Sequence, residues 1–375
     1  MSARRVFFYV QHLLGIGHLA RASRIASALS EAGFEVTVVT GGMPVAGFPS
    51  PGMNHIALPA LTSSDEGFSG LVTADGQAAD GNFEEMRRNL LLEAFRSQAP
   101  DILIIEAFPF GRRQMRFELL PLLEAAIAAT PRPLIASSIR DILQERTKPG
   151  RNEETVDYVN RYFDLVLVHG DPQFVPLEAT FPLTDAIRDK IAYTGLVAPP
   201  SPVPSTESFD IVVSAGGGAA GRDLVSAAVD AAAMLGPDLR WLLITGPNLP
   251  AAQFDAAASK AGANMQVERF RGDFANLLAA ARLSVSQAGY NTVCDVLQAG
   301  CRSVLVPFAA GGETEQSMRA ERLAQRGLTS VLSEAGINGS SLAAAVGTAL
   351  SAPAPSPAGL PLQGAQKTAA ILAAY

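Results

Sequence analysis

The chain has 375 residues, of which 48% are hydrophobic and 17% charged, and its formal net charge is −7. This length favours two domains with separate cores, and no run reaches the roughly 18 apolar residues that a transmembrane helix requires. The acidic balance, without a basic stripe, argues against nucleic acid as a partner. The two cysteines, Cys294 and Cys301, lack a metal-ligand spacing, and no export signal is visible, so a cytoplasmic protein with reduced thiols is expected.

Short β-branched runs alternate with helical patterns through the first half of the chain. Apolar residues recur at helical spacing over 17–32, and Gly33 stands where a helix C-cap belongs. Strands are predicted at 6–10, 35–40, 101–105, 133–137 and 164–169. This alternation predicts an α/β fold with parallel strands, right-handed crossovers and ligands at the carboxyl ends of the strands.

A proline-rich stretch, 196–208, predicts a semi-stiff linker between an N-terminal domain, 1–195, and a C-terminal domain, 209–350. Strands of the second domain are predicted at 210–214, 240–245, 265–267, 283–286 and 303–306. Two doubly wound, Rossmann-like domains of this kind are expected to face each other across a ligand-binding cleft. A second proline-rich segment from Ser351 leads into a final helix, 365–375, for which packing back on the N-terminal domain is one expectation.

The first strand-to-helix connection contains the candidate base. Gly15 and Gly17 permit a tight turn, and His18 opens the following helix beside its positive end. A helix N-terminus lowers the pKa of a nearby histidine, which favours a neutral general base acting on a hydroxyl or water. A lone histidine is more often structural, which is the interpretation kept for His12, but the glycine-rich turn at a strand end favours function for His18.

Further polar side chains follow the other strands of the first half. Glu106 is the first candidate among them for a catalytic role or an acceptor contact, because strand ends meet at one edge of a parallel sheet. The remaining acceptor-side candidates are Arg140, Asp141, His169 and Asp171. Arginines at 87, 88, 112, 113 and 116 suggest a membrane-facing surface for a lipid-linked acceptor, although solvated helix faces explain them better.

The second half contains two turns suited to phosphate. The first is glycine-rich and includes Ser214, Gly216, Gly217 and Gly218, although glycines alone also make simple tight turns. The second leads from a strand end into a helix and includes Ser286, Gln287, Gly289, Asn291, Thr292 and Asp295. Its amides suit a diphosphate, and the Asp295 carboxylate suits ribose hydroxyls. Glu315 and Gln316 begin a later helix, and their side chains are suited to bind sugar hydroxyls. The alternative for the glutamate is that its charge merely compensates the helix dipole.

These elements together resemble the donor-binding half of glycosyltransferase family 28. The resemblance rests on SQAGYNTVCDVLQAGCRSVLVPF at 286–308, on FRGDFANLLAAA before it, on ETEQ after it and on GIGH at 15–18. It implies a GT-B fold, in which His18 aids catalysis and the loop at Gly17 and the loop from Gly216 touch the donor. It further implies that Asp295 replaces a ribose-binding glutamate and that Glu315 and Gln316 contact the donor sugar. The backbone at Phe270 and Arg271 would meet the base.

The resemblance implies an inverting, metal-independent transferase that uses no cofactor and moves a sugar from a nucleotide-sugar donor, UDP-linked by preference, to an unidentified hydroxyl acceptor. Lipid-linked acceptors are among the candidates, and membrane contact would be at most peripheral, at the inner face. The stretch GIGHLAR at 15–21 is also similar to the opening of a UDP-sugar hydrolase, so hydrolysis remains an alternative. A 2-epimerase of the same fold and a non-catalytic nucleotide-sugar-binding protein are the others.

Overall fold

The computed structural model describes residues 3–13, 15–50, 52–63, 70–145, 148–216, 221–309, 312–356 and 359–375. The chain forms two compact units. One consists of Met1–Val197 together with Gln363–Tyr375, and the other of Ala198–Leu362. Each has its own parallel sheet and its own hydrophobic core.

The first unit is built on a seven-stranded parallel sheet. Its strands are β1 Arg5–Val10, β2 Glu35–Thr40, β3 Asn54–Ala57, β6 Ile102–Glu106, β7 Leu134–Arg140, β8 Leu165–His169 and β9 Ile191–Tyr193. A separate antiparallel hairpin is formed by β4 Leu61–Ser63 and β5 Leu71–Thr73. Its first four helices are α1 Gly17–Glu31, α2 Gly81–Gln98, α3 Arg116–Ala128 and α4 Arg151–Tyr162. The strand order is β3-β2-β1-β6-β7-β8-β9.

The order of the strands defines where this sheet can bind a ligand. From β1 the strand order proceeds through β2 to β3 on one side of the sheet. On the other side β6 pairs with β1, and the order continues from there through β7 and β8 to β9. Both strands are apolar runs buried almost throughout, as expected for the centre of a parallel sheet. The crevice beyond the carboxyl ends of β1 and β6 is therefore the expected ligand position in this unit.

The second unit repeats this plan with six parallel strands. They are β10 Ile211–Ser214, β11 Trp241–Ile244, β12 Met265–Glu268, β13 Leu283–Ser286, β14 Arg302–Leu305 and β15 Ser330–Val331. The helices are α5 Arg222–Leu235, α6 Ala251–Lys260, α7 Phe274–Ala280, α8 Tyr290–Ala299, α9 Glu315–Gln325 and α10 Gly339–Ser351. The order β12-β11-β10-β13-β14-β15 is that of a nucleotide-binding Rossmann sheet, with its switch point between β10 and β13.

The final helix, α11 Gly364–Ala374, packs against α1 of the first unit. Arg4 Nη1 donates a hydrogen bond of 3.0 Å to the carbonyl of Leu372 near its end. At its start, the backbone of Gly364 lies so close to Gly195 and Leu196 that a Cβ would collide with them. No helix in the described ranges is both long and apolar enough to cross a membrane.

Candidate active site

His18 and Glu106 meet at the switch point of the first sheet. His18 lies in the first turn of α1, directly after the loop that follows β1, and Glu106 is the last residue of β6. His18 Nδ1 is 2.9 Å from Glu106 Oε1. Arg21, one turn after His18 on α1, donates a hydrogen bond to the same carboxylate oxygen and forms an ion pair with it. The histidine side chain is 20% exposed, whereas that of Glu106 is fully buried.

The buried carboxylate of Glu106 is held in its ionised form. Burial by itself would raise the pKa of Glu106, but the Arg21 charge and the hydrogen bond from His18 lower it to about 2. An ionised carboxylate accepts hydrogen bonds only, so the proton between the two side chains belongs to His18 Nδ1. This arrangement selects the tautomer of His18 whose Nε2 carries a lone pair.

His18 is therefore suited to act as a neutral base. Burial lowers its pKa to about 3, and the charge of nearby Arg112 acts in the same direction against the effect of Glu106. No described residue forms a hydrogen bond with Nε2. The imidazole is thus uncharged near neutral pH, its side chain is 20% exposed, and the lone pair of Nε2 is not used by any described residue.

A second layer of hydrogen bonds supports Glu106 from behind. Ser138 Oγ donates a 2.5 Å hydrogen bond to Glu106 Oε2 and lies 2.9 Å from His169 Nε2. A hydroxyl has one proton, so His169 Nε2–H must donate to Ser138 when Ser138 donates to the carboxylate. Thr194 Oγ1 lies 2.9 Å from His169 Nδ1 and 2.9 Å from the carbonyl of Gly195. The donors His169 and Ser138 thus point towards the charge on Glu106.

The structure revises the roles expected for several acceptor-side candidates. His169 is completely buried, so it supports Glu106 and cannot touch an acceptor. Asp141 is also buried and accepts the amide of Ile142 at 2.8 Å, while Asp171 accepts the amide of Gln173 at 2.9 Å. Among these four candidates, Arg140, the last residue of β7, is the one that keeps appreciable exposure.

Four of the five arginines considered for a membrane-facing surface form ion pairs within the first unit. Arg87 is fully buried and paired with the buried Glu118, with Nε at 2.7 Å from its carboxylate. Arg113 and Arg116 both pair with Glu154. Arg88 pairs with Glu85 on the same helix. The buried Arg87 instead bonds the carbonyls of Gly41 and Pro59, which ties α2 to the segment after β2.

Burial of His169 predicts acid sensitivity. Burial lowers its pKa to about 3, from an ordinary value of 6.5, and Arg21 adds to this effect. Between pH 6.5 and 3, His169 is protonated in the unfolded chain but not in the folded chain. The free energy of unfolding therefore falls as the pH falls. We expect His169→Gln to reduce the dependence of unfolding free energy on pH by roughly 1 kcal/mol per unit across pH 4–6. Urea unfolding at several pH values measures this, and an unchanged slope would show that His169 takes up its proton in the folded state.

The second sheet brings the two predicted phosphate-binding turns together. Ser214 ends β10 and Ser286 ends β13, and the two are directly paired in register across the switch point. Gly216 has a positive φ of 78°, and a Cβ on it would collide with the side-chain amide of Gln287. Glycine is therefore required at this position. Gly217 and Gly218, which belong to the same prediction, lie outside the described residues.

Several polar groups lie at the start of α8. Gly289 is its N-cap and supplies no side-chain cap, and Asn291 and Thr292 are half-buried in the first turn. Ser286 Oγ and Gln287 Nε2 are buried without a hydrogen-bond partner in the described part of the chain. Buried polar atoms without partners are costly, and an anion at the helix N-terminus would satisfy them.

Gln316 connects this turn to the loop after β14. Its Oε1 accepts the amide of Ala288 at 3.0 Å and that of Phe308 at 3.2 Å. Both bonds use the oxygen, so the amide group has a defined orientation, and no described residue bonds its Nε2. Gln316 is half-buried, and its Nε2 can donate to a ligand hydroxyl.

Glu315 has a different role from the one expected. Its side chain is 4% exposed and pairs with buried Arg319, one turn later on α9, at 2.9 Å. Arg319 Nη1 also donates to the carbonyl of Ala288 at 2.8 Å. Glu315 thus orients Arg319 to fix the turn before α8, and burial prevents direct contact with a sugar. The spacing Glu315–Arg319, four residues apart on a helix, was a signal for this pair that sequence reasoning missed.

The remaining donor-side candidates lie at other strand and helix ends of the same unit. Phe270 lies two residues after the end of β12 and is 58% exposed. The guanidinium of Arg271 forms two hydrogen bonds of 2.8 Å with the carboxylate of Asp273. Asp295 lies in the second turn of α8 and is partly exposed.

Comparisons of sequence place the second unit in a known class. Residues 211–359 match the model of the glycosyltransferase family 28 C-terminal domain. A UDP-N-acetylglucosamine--N-acetylmuramyl-(pentapeptide) pyrophosphoryl-undecaprenol N-acetylglucosamine transferase of Agrobacterium fabrum is 31% identical over 159 residues, which are 41% of this chain and 42% of that protein. The chain thus matches less than half the length of this relative. The predicted resemblance to family 28 is confirmed.

Comparisons of structure extend over the whole chain. The calicheamicin glycosyltransferase CalG4 is similar with a TM-score of 0.61 and 18% identity, covering 100% of this chain and 95% of that one. MurG of Acinetobacter baumannii has a TM-score of 0.57 and 17% identity, covering 98% and 95%. At these identities the likeness shows the fold. The predicted class, two Rossmann-like halves of the GT-B type, is confirmed.

Proposed function

We propose that this chain is an inverting glycosyltransferase that moves a sugar from a nucleoside diphosphate sugar, UDP-linked by preference, to a hydroxyl acceptor. One observation carries the proposal. The second unit matches a family 28 C-terminal domain. In the first unit, His18 Nδ1 bonds the buried carboxylate of Glu106, and no described residue bonds His18 Nε2. A transferase needs a base for the acceptor hydroxyl in addition to a donor site, and His18 supplies it.

We place the proposed binding site for the nucleotide-sugar donor at the switch point of the second sheet, between β10 and β13. The uncapped start of α8 offers backbone N–H groups to a diphosphate, and the buried Ser286 Oγ and Gln287 Nε2 add two polar partners. Gln316 Nε2 donates to the sugar, and Asp295 accepts from the ribose. The side chains and amides named here would carry the charge of the leaving diphosphate without a metal ion.

The proposed reaction is a single displacement. His18 Nε2 takes the proton from the acceptor hydroxyl, whose oxygen forms a bond to the anomeric carbon. The bond from this carbon to the diphosphate breaks, and the leaving oxygen keeps the electron pair. A single attack opposite the leaving group inverts the anomeric configuration.

A donor panel tests this function. The protein, treated with EDTA, is incubated with several UDP- and dTDP-sugars as donors. The acceptors are lipid-linked diphosphates, chosen because the Agrobacterium relative acts on a pyrophosphoryl-undecaprenol substrate, and small polyhydroxyl compounds. Nucleotide release that depends on an acceptor, with an inverted product by NMR, supports the proposal. Sugar release without any acceptor would identify a hydrolase, C2 inversion an epimerase, and donor binding without turnover a binding protein. Loss of activity with EDTA that added Mg²⁺ restores would contradict metal independence.

Gln316→Glu tests the sugar contact. The variant keeps an oxygen for the amides of Ala288 and Phe308 but replaces the Nε2 donor by a second acceptor. We expect affinity for the donor sugar nucleotide to fall at least about fivefold, because one hydrogen bond is lost and its partner is left unsatisfied. Calorimetry with UDP alone is the matched control and should change less. An equal loss for UDP and for the UDP-sugar would show that Gln316 does not contact the sugar.

A further inference from the structure

Arg319 is a buried arginine in the second turn of α9, and its side chain is 1% exposed. Its Nη2 donates a hydrogen bond of 2.9 Å to Glu315, and its Nη1 donates one of 2.8 Å to the carbonyl of Ala288. Apolar side chains of similar volume often replace a buried ion pair without loss of stability, so stability by itself does not explain the charged pair. The bond to the Ala288 backbone is what an apolar pair could not supply.

Two side chains of α9 hold both backbone groups of Ala288. Gln316 and Arg319 are three residues apart and therefore lie on one face of the helix. Gln316 Oε1 accepts the amide of Ala288 at 3.0 Å, while Arg319 bonds the carbonyl of the same residue. Ala288 itself is fully buried. One helix thus fixes the backbone of the residue that precedes the N-cap of α8.

The bond from Arg319 also sets the direction of the next amide, that of Gly289. The cis peptide bonds in the described ranges all precede prolines, so the bond between Ala288 and Gly289 is trans. In a planar trans peptide the C=O and N–H groups point in opposite directions, and the Gly289 N–H therefore points away from Arg319. No described residue accepts this N–H. A Cβ built on Gly289 would meet no atom within 4 Å, so a ligand has room beside this amide.

We propose that Arg319 is a positioning residue for the donor: through the Ala288–Gly289 peptide, it directs the Gly289 amide towards the diphosphate. The inference rests on the proposed function, which places the diphosphate at the start of α8. An amide whose direction is already fixed in the free protein does not have to be ordered when the ligand binds, so less binding free energy is lost. In this role Arg319 acts through the backbone and touches no substrate atom.

Ligands with and without phosphate test this role. The double variant Glu315→Gln with Arg319→Met removes both charges, so no buried charge is left unpaired. We expect its affinity for UDP to fall at least about fivefold, because the bond that orients the Gly289 amide is lost. Its affinity for uridine should change less than about twofold, since uridine has no phosphate for that amide to bind. Calorimetry measures UDP and ligand-observed NMR measures uridine. A general disturbance of the second unit would weaken both ligands alike.

Arg322→Met is the matched control for this variant. Arg322 is an exposed arginine one turn after Arg319 on α9 and bonds Gln325 of the same helix at 3.3 Å. It should bind UDP and uridine as the wild type does. Circular dichroism verifies the fold of each variant. If the double variant does not fold, Arg319→Lys takes its place, because lysine keeps the charge beside Glu315 but has one nitrogen instead of two. It should also weaken UDP and spare uridine.

The amide signal of Gly289 gives a direct spectroscopic readout. In proton–nitrogen correlation spectra, UDP should shift this signal in the wild type and shift it less in the folded variant. An unchanged Gly289 signal in the wild type at saturating UDP would overturn the inference. Equal affinity of the folded variant and the wild type for UDP would do the same, and either result would leave the proposed function standing. Absence of UDP binding to the wild type would overturn both.

Discussion

Replacement of His18 by alanine is expected to lower sugar transfer by about 10²- to 10⁴-fold, the usual contribution of a positioned general base. The loss should appear in kcat, because the proposed mechanism assigns the acceptor hydroxyl to His18 Nε2 and the donor to residues of the second unit, Ala198–Leu362. The pKa of about 3 also predicts that kcat/KM of the wild type shows no His18 titration between pH 5 and 8. Steady-state kinetics over this pH range, with donor affinity measured by calorimetry, check both expectations.

His55→Ala is the matched control for this variant. His55 is an exposed histidine on β3, bonded to Thr40 at 2.8 Å and without contact to Glu106. It should retain full transfer activity. Equal activity of His18→Ala and wild type would remove His18 from the mechanism, whatever the identity of the acceptor.

Replacement of Glu106 by glutamine is expected to have the largest effect on stability. It leaves the Arg21 guanidinium, whose side chain is 3% exposed, buried without its anionic partner. Breaking one side of a buried ion pair costs about 3–5 kcal/mol. Activity should fall as well, because a neutral amide no longer stabilises the imidazolium that forms when His18 takes the proton. Urea unfolding at pH 7 gives the stability, and kinetics on the folded fraction gives the activity.

The double variant Glu106→Gln with Arg21→Met separates these two effects. It removes both charges, so most of the lost stability should return. Transfer activity should stay low, since His18 still lacks a carboxylate at Nδ1. Recovery of activity together with stability would show that Glu106 serves only to neutralise Arg21.

The regular parts of the fold were predictable because their sequences are locally consistent. The runs at 35–40 and 283–286 became β2 and β13 with the predicted bounds, and the helix predicted over 17–32 became α1, Gly17–Glu31. The missed strands are β3, β4, β5, β9 and β15, which have two to four residues each. Such short strands form because a neighbouring strand or turn offers backbone partners, which is information that no local pattern contains.

The candidate site was predictable to a smaller extent. His18 stood out because a glycine-rich turn precedes it, and Glu106 because it ends an apolar strand. The roles of Arg21, Ser138 and His169 depend on contacts with residues that lie 31 or more positions away in the sequence. Glu315 lies at a helix start, where a contact with the sugar was expected, but its carboxylate is buried and paired with Arg319.

The sequence by itself determined the α/β class, the two Rossmann-like halves, the likeness to family 28 in the second half and the place of His18 at the start of a helix. These follow from periodicity, glycine and proline positions and motif spacing, which are local properties. Tertiary structure alone decided which partner each polar side chain has. It set the tautomer of His18 through Glu106, and it buried His169 and Arg87. Burial and pairing depend on strands that are distant in sequence, and they determine which charged group can meet a substrate.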